Sequence, residues 1–183
     1  MADNSNGKFM AAQSEYAIVF TGYVATRKTI SILDEKRKEL SERYPVRYLK
    51  SAEKRLKEEA WNSFDATEAF EKLYGSEGSI VIPCLEDGVF AALWRLGEAL
   101  DSGLNVKQDC IPIDQASIEL CDWQDINPYE ADCTGSFLLA VVNPGEIVEK
   151  LEKQGISAKV IGYTTKENAR TVDGASKRFL TRP

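Results

Sequence analysis

Thr134-Gly-Ser-Phe-Leu-Leu-Ala-Val141 is the stretch that decides the fold, because its second half is an unbroken run of apolar residues. A short apolar run that is bounded by turn residues is typical of a strand with both faces buried. The segment that follows, Asn143-Pro-Gly-Glu146, predicts a helix start with Asn143 as N-cap and a proline in the first turn. The sequence therefore predicts a strand that leads directly into a helix, as in layered α/β domains.

Strands and helices alternate in the same way along the rest of the chain. Apolar runs predict further strands at 16–20, 79–83, 104–106 and 157–163, and a weak hairpin over the last twenty residues with its turn at Asp173-Gly174. Spacings of three and four predict helices at 27–43, from 46 to about 60, at 65–74, from 86 to about 100, after Asp114 and from 144 to 154. No linker or repeat interrupts this order. We therefore expect one domain at 14–183, α/β or α+β in class, after a disordered leader at 1–13.

Composition excludes several classes of function. The net charge of −6 repels a phosphate backbone, so we expect no nucleic-acid partner. The sequence has no apolar run of about 18 residues, so we expect no membrane partner. The first dozen residues lack the pattern of a secretory signal, and we expect a cytoplasmic protein.

The ionisable residues exclude several kinds of catalytic site. The sequence has no histidine, which removes Ser-His-Asp and Cys-His catalysis and every His-ligated metal site. The four cysteines, Cys84, Cys110, Cys121 and Cys133, form no C-x-x-C pair, and we expect reduced thiols that behave as small apolar side chains. We therefore predict no catalytic residue, no metal site and no cofactor.

Three segments, in this order and spacing, resemble one family. Ile82-Pro-Cys-Leu-Glu-Asp-Gly-Val-Phe-Ala-Ala-Leu-Trp94 is similar to the His-Asp-x-Thr-x-Gly-Gly stretch of hydrogenase maturation factors, selenophosphate synthetases and AIR synthases. Ile126-Asn-Pro-Tyr129 with 134–141 is similar to the Asn-Pro-Tyr and Ser-Gly blocks of that family, and Ala158-Lys-Val-Ile-Gly162 to its Ile-Gly turn. The resemblance covers 14–183 and implies the carboxy-terminal domain of the AIR synthase superfamily.

The resemblance implies a three-layer α/β/α domain with a mixed, partly ferredoxin-like sheet. It also implies that most ATP-phosphate and magnesium ligands belong to an amino-terminal domain that we expect this chain to lack. Inside the matched domain the family's His-Asp pair falls on Ile82-Pro83, its Thr on Leu85 and its first Gly on Asp87. The cysteine that carries a carbamoyl group in hydrogenase maturation factors is absent from the terminal Thr181-Arg-Pro183.

Four segments carry the candidate ligand-binding residues. At the predicted helix start near Glu86, the free backbone N–H groups could bind an anion. Alternatively, Glu86 and Asp87 only complement the positive end of the helix dipole, and this is the interpretation we prefer. The other three segments are turns that either line a pocket or serve the fold alone. The candidates are Thr21, Gly22, Glu86, Asp87, Gly88, Asn127, Tyr129, Thr134, Gly135 and Ser136.

Two functions remain open at this stage. The first is a domain without catalytic activity of its own that binds a small molecule or a partner protein through an apolar face, so that the chain forms a homo-oligomer or pairs with a separate ATP-binding-domain protein. The second is a component of an ATP-dependent enzyme that a separate ATP-binding domain completes in trans.

Overall fold

A computed structural model describes residues 15–74 and 80–183, with only the backbone described for 61–74. The predicted leader at 1–13 lies outside the described residues. The strands are β1 (Ala17–Thr21), β2 (Ile80–Pro83), β3 (Gly103–Lys107), β4 (Phe137–Val141), β5 (Ala158–Thr165), β6 (Arg170–Asp173) and β7 (Lys177–Phe179). The helices are α1 (Thr26–Glu35), α2 (Arg37–Arg43), α3 (Val46–Tyr74), α4 (Gly88–Leu100), α5 (Gln115–Trp123) and α6 (Pro144–Lys153).

The strands form one mixed sheet in the order β2-β4-β1-β5-β3-β6-β7. All neighbouring strands are antiparallel except β3 and β6, which run parallel. The strand that decides the fold, β4, lies between β1 and β2, with Leu138 opposite both Phe20 and Ile82. This position inside the sheet explains why every residue of β4 is buried and apolar.

Helices cover both faces of the sheet and produce three layers. Ile18 and Phe20 of β1 belong to the same core cluster as Leu93 of α4, whereas Ala17 and Val19 pack in a second cluster with Ile147 and Leu151 of α6. Successive residues of a strand point to opposite faces, so β1 is apolar throughout because each face has its own helix. The predicted three-layer α/β/α architecture with a mixed sheet is confirmed.

The remaining helices form a separate cluster beside these layers. Leucines and alanines of α1, α2, α3 and α5 bury one another in a third core, which is made of Ile32, Leu33, Leu40, Leu49, Ala52, Leu56, Ala116 and Leu120. Helix α5 begins after Asp114, as predicted, and Asp114 caps its N-terminus by accepting a 2.8 Å hydrogen bond from the Ala116 amide. No helix among the described residues is long and apolar enough to span a bilayer.

Two predictions about helices are wrong. The helix predicted at 27–43 divides at Lys36 into α1 and α2. The break predicted between Ala60 and Asp65 does not occur, and α3 continues as one helix of 29 residues to Tyr74. Its sequence contains no glycine or proline, so nothing interrupts the backbone hydrogen bonds there. Asn143 occupies the N-cap position of α6, as predicted, but its side chain makes no capping hydrogen bond.

The C-terminal hairpin of β6 and β7 contacts α4 through the side chain of Arg170. The guanidinium of Arg170 lies 4.4 Å from the centre of the Trp94 ring and pairs with Glu98 at 2.5 Å. A Cβ atom at Gly97 would collide with the Arg170 side chain. The hairpin therefore fixes the position of α4, the helix that starts at the candidate site.

Candidate functional site

The ten predicted site residues all lie at one end of the sheet, which we call the site end. Here β1 and β2 finish and β4 begins, since Phe20 pairs with Leu138 and Pro83 pairs with Phe137. Three loops therefore meet at the site end: 22–25 after β1, 84–87 after β2 and 124–136 before β4. The antiparallel pairing brings together segments that are more than a hundred residues apart in sequence.

Gly88, the first residue of α4 directly after the 84–87 loop, contacts the 124–136 loop. Its φ of +81° is a conformation that side chains with a Cβ rarely adopt. A Cβ atom at this position would lie 2.5 Å from the carbonyl oxygen of Tyr129 and 2.6 Å from the Cα of Glu130. The first turn of α4 therefore rests directly on the backbone of the 124–136 loop, which is possible only with glycine.

Aromatic contacts extend this junction outward. The rings of Phe90 and Tyr129 stack with their centres 5.2 Å apart and an angle of 13° between their planes. The guanidinium of Arg178 lies 4.5 Å from the centre of the Phe90 ring and donates a 2.9 Å hydrogen bond to Gln108. A loop, a helix and the C-terminal hairpin thus meet at one phenylalanine.

A pocket of about 210 Å³ opens beside this stack. Both apolar and charged side chains line it. Its lining consists of Asp87, Phe90, Ala91, Glu130, Arg178, Phe179, Leu180, Thr181 and Pro183. Of the ten predicted residues only Asp87 lines the pocket, while Gly88 and Tyr129 support its wall.

Two polar side chains near the pocket, Asp87 and Asn127, are paired within the domain. Arg95 donates to both carboxylate oxygens of Asp87, at 2.5 and 3.1 Å, and to the carbonyl of Pro83 at 3.5 Å. Asn127 accepts a 3.2 Å hydrogen bond from the Tyr129 amide and so begins the short 3₁₀ turn at Pro128–Glu130. These side chains shape the loops. Helix α4 begins only at Gly88, so Glu86 and Asp87 precede its first turn, which contains no acidic residue.

The remaining predicted residues also serve the fold. The hydroxyl of Thr21 accepts a 2.9 Å hydrogen bond from the Phe137 amide and ties β1 to the start of β4. Both the amide and the hydroxyl of Thr134 donate to Asp132, at 2.9 and 2.6 Å. Gly135 has a φ of +100°, which allows the chain to turn into β4. Gly22 and Ser136 are buried, and Glu86 is exposed before α4.

Several residues of the pocket were not predicted from the sequence. Phe90 and Glu130 each lie within two residues of a predicted site residue. Their proximity in sequence to those residues could have identified them as candidates. Arg178 and Phe179 belong to a segment predicted only as a weak hairpin, and long-range strand pairing carries them to the pocket. In the part of the chain that the structure describes, no group of three or more His, Cys, Asp or Glu side chains is placed to hold a metal ion.

Replacing Gly88 with alanine tests the junction between α4 and the loop. The new Cβ forces the backbone of residues 129 and 130 to move and imposes an unfavourable φ, so Gly88→Ala is expected to lower the free energy of unfolding by about 2 kcal/mol or more. Gly145→Ala in α6 is the matched control, because no atom lies within 4 Å of its new Cβ. We expect the control to change stability by less than about 1 kcal/mol. Urea denaturation measures both, and equal stabilities would contradict the junction.

Comparison with known proteins gives matches among solved structures only. No family model and no curated protein sequence matches the chain. The crystal structure of E. coli HypE, a hydrogenase maturation protein, matches with a TM-score of 0.70 and 17% identity over 97% of this chain and 52% of that one. The structure of a HypE–HypF complex matches with a TM-score of 0.60 and 14% identity, over 96% of this chain and 55% of that one.

A kinase has the same fold. Thiamine-monophosphate kinase from Aquifex aeolicus matches with a TM-score of 0.58 and 16% identity, over 94% of this chain and 53% of that one. The chain thus spans about half the length of each of these proteins. At these low identities the structural matches show the fold alone, and the fold implied by the sequence resemblance is confirmed: the chain has the fold of about half of HypE and of about half of thiamine-monophosphate kinase.

Proposed function

We propose that this chain is a binding domain that docks a protein surface at its pocket and does not turn over ATP by itself. The observation that carries the proposal is an exposed phenylalanine at the pocket: Phe179 is 71% exposed although it lines the pocket. Leu85, in the turn that leads to Asp87, is 44% exposed. Large apolar side chains exposed at the edge of a concave surface are typical of interaction sites.

The internal pairing of the polar groups supports binding through shape and apolar contact. Asp87 is held by Arg95, and Arg178 is held between Gln108 and the Phe90 ring. A group that acts on a substrate needs a free donor or acceptor directed at the reacting atom. Paired groups at the edge instead keep the pocket in one shape, which reduces the entropy that a partner loses on docking.

The structural neighbours also support a protein partner. One of them is HypE in a complex with HypF, so a protein of this fold binds another protein. The partner that we propose for this chain, when no other protein is present, is a second copy of itself. Burial of a phenylalanine or leucine side chain contributes about 1.5–3 kcal/mol. A symmetric dimer buries both residues from each copy, and these four side chains together are comparable with the cost of association of about 4–15 kcal/mol, so we expect weak self-association.

Sedimentation velocity measures this self-association directly. We expect the wild-type protein to associate in a concentration-dependent manner between roughly 10 and 300 µM. Replacement of Leu85 and Phe179 with serine should lower the association constant at least about tenfold, because the apolar contact is lost.

The matched control is Val142→Ser. Val142 is 61% exposed, but it follows the end of β4 that is opposite to the site end. This variant should associate as strongly as the wild type. A wild-type protein that remains a monomer at 300 µM, or a Leu85/Phe179 double variant that associates like the wild type, would contradict the docking proposal.

A second candidate is a component of an ATP-dependent enzyme. The shared fold with a kinase favours it. Under this alternative the site end forms one wall of a nucleotide site, and a second domain supplies the phosphate and magnesium ligands.

Calorimetric titration with ATP and Mg²⁺ separates the two candidates. If the domain only docks a protein, we expect a Kd for ATP weaker than about 1 mM, since Asp87 and Arg178 at the pocket are already bonded to Arg95 and Gln108. A Kd of about 10 µM or lower, abolished by Arg178→Ala, would support the enzyme component in place of the binding domain.

A further inference from the structure

Two buried thiols meet beneath the loops of the site end. Cys84 and Cys133 are each 1% exposed and belong to the same core cluster. They are about 50 residues apart in sequence, and neither forms a disulfide in this structure. The proposed docking assigns no role to these two cysteines.

The backbone brings the two cysteines together. The Cys84 amide donates a 2.9 Å hydrogen bond to the Ser136 carbonyl, which continues the pairing of β2 with β4 by one residue. The Ser136 amide in turn donates a 3.0 Å hydrogen bond to the Cys133 carbonyl, so residues 133–136 form a tight turn that contains Gly135. This turn places Cys133 beside the residue that is bonded to Cys84.

A second set of hydrogen bonds fixes the same contact. The Leu85 carbonyl accepts from the Cys133 amide at 3.3 Å and from its Sγ at 3.8 Å. Burial, and then the nearby Cys133 thiol, raise the pKa of Cys84 well above its usual value. In the reduced state Cys84 is therefore a neutral thiol near Cys133.

We propose that Cys84 and Cys133 form a reversible disulfide that fastens the turn before α4 to the loop before β4. A pair held side by side by the backbone has a high effective concentration, which favours the intramolecular disulfide over a mixed one. The proposal concerns these two thiols alone and is independent of what docks at the pocket.

Hydrogen peroxide is the oxidant that the proposal assumes. Cys133 is 1% exposed, so peroxide has to reach its sulfur through a local opening of the 124–136 loop. The Cys133 sulfur then attacks one peroxide oxygen; the O–O bond breaks, and the thiol proton leaves with the released hydroxide as water while a sulfenic acid is formed. The Cys84 sulfur then attacks the sulfenic sulfur, the S–O bond breaks, and hydroxide leaves with the Cys84 proton as a second water. Two thiols and one peroxide thus give one disulfide and two waters.

The reaction is expected to be slow near pH 7 and faster as the pH rises. The thiolate is the nucleophile, and burial holds Cys84 in its neutral form. A disulfide closing a loop of about 50 residues also restricts the unfolded chain, so oxidation should raise Tm by roughly 5–10 °C.

The test compares two variants after treatment with peroxide and removal of the excess. One has Cys110 and Cys121 replaced by alanine and keeps the proposed pair; the other has Cys84 and Cys133 replaced and keeps the remaining two. The first should lose about 2 Da and give a linked Cys84–Cys133 peptide, both reversed by dithiothreitol, and the second should not. The wild type should show the same linked peptide and the Tm increase.

Three outcomes would overturn the proposal. They are an unchanged mass of the first variant after prolonged oxidation above pH 8, a gain of oxygen in place of the loss of hydrogen, and disulfides that join two molecules. If either variant fails to fold, peptide mapping of the oxidised wild-type protein tests the proposal instead, because it shows directly whether Cys84 and Cys133 are linked.

Discussion

The close approach of Gly88 to the backbone of Tyr129 and Glu130 is the constraint on which the site end depends. With no Cβ between them, the first turn of α4 and the 124–136 loop share one surface. The stacked rings of Phe90 and Tyr129 extend that surface, and Arg178 of the C-terminal hairpin covers it. The pocket exists because three segments distant in sequence are held at this junction.

The order of strands and helices was predictable because each element carries its own local signal. The run at 137–141, the cap at Asp114 and the glycines at turns are signals of this kind. Helix α3 differs from the two helices predicted at 46–60 and 65–74 because its sequence has no helix-breaking residue between them. The other differences from the prediction depend on contacts between residues that are distant in sequence, which local sequence patterns do not show.

The candidate site was predictable in position but not in composition. The ten residues chosen from the sequence do lie at one end of the sheet, but their side chains mostly bond to their own loops. The pocket itself uses Phe90, Glu130 and the segment from Arg178 onward. That segment reaches the pocket through the parallel pairing of β3 with β6 and the antiparallel pairing of β6 with β7. Such long-range pairing cannot be predicted from the local sequence of the hairpin.

Hydrogen exchange measured by mass spectrometry tests the shared surface most directly. The account predicts that peptides covering 84–90 and 127–136 are protected to a similar extent and lose protection together in Gly88→Ala, while peptides of α6 are unchanged. If the 127–136 peptide in the wild type exchanges orders of magnitude faster than the 84–90 peptide, the two segments open independently, and the account of the junction is wrong.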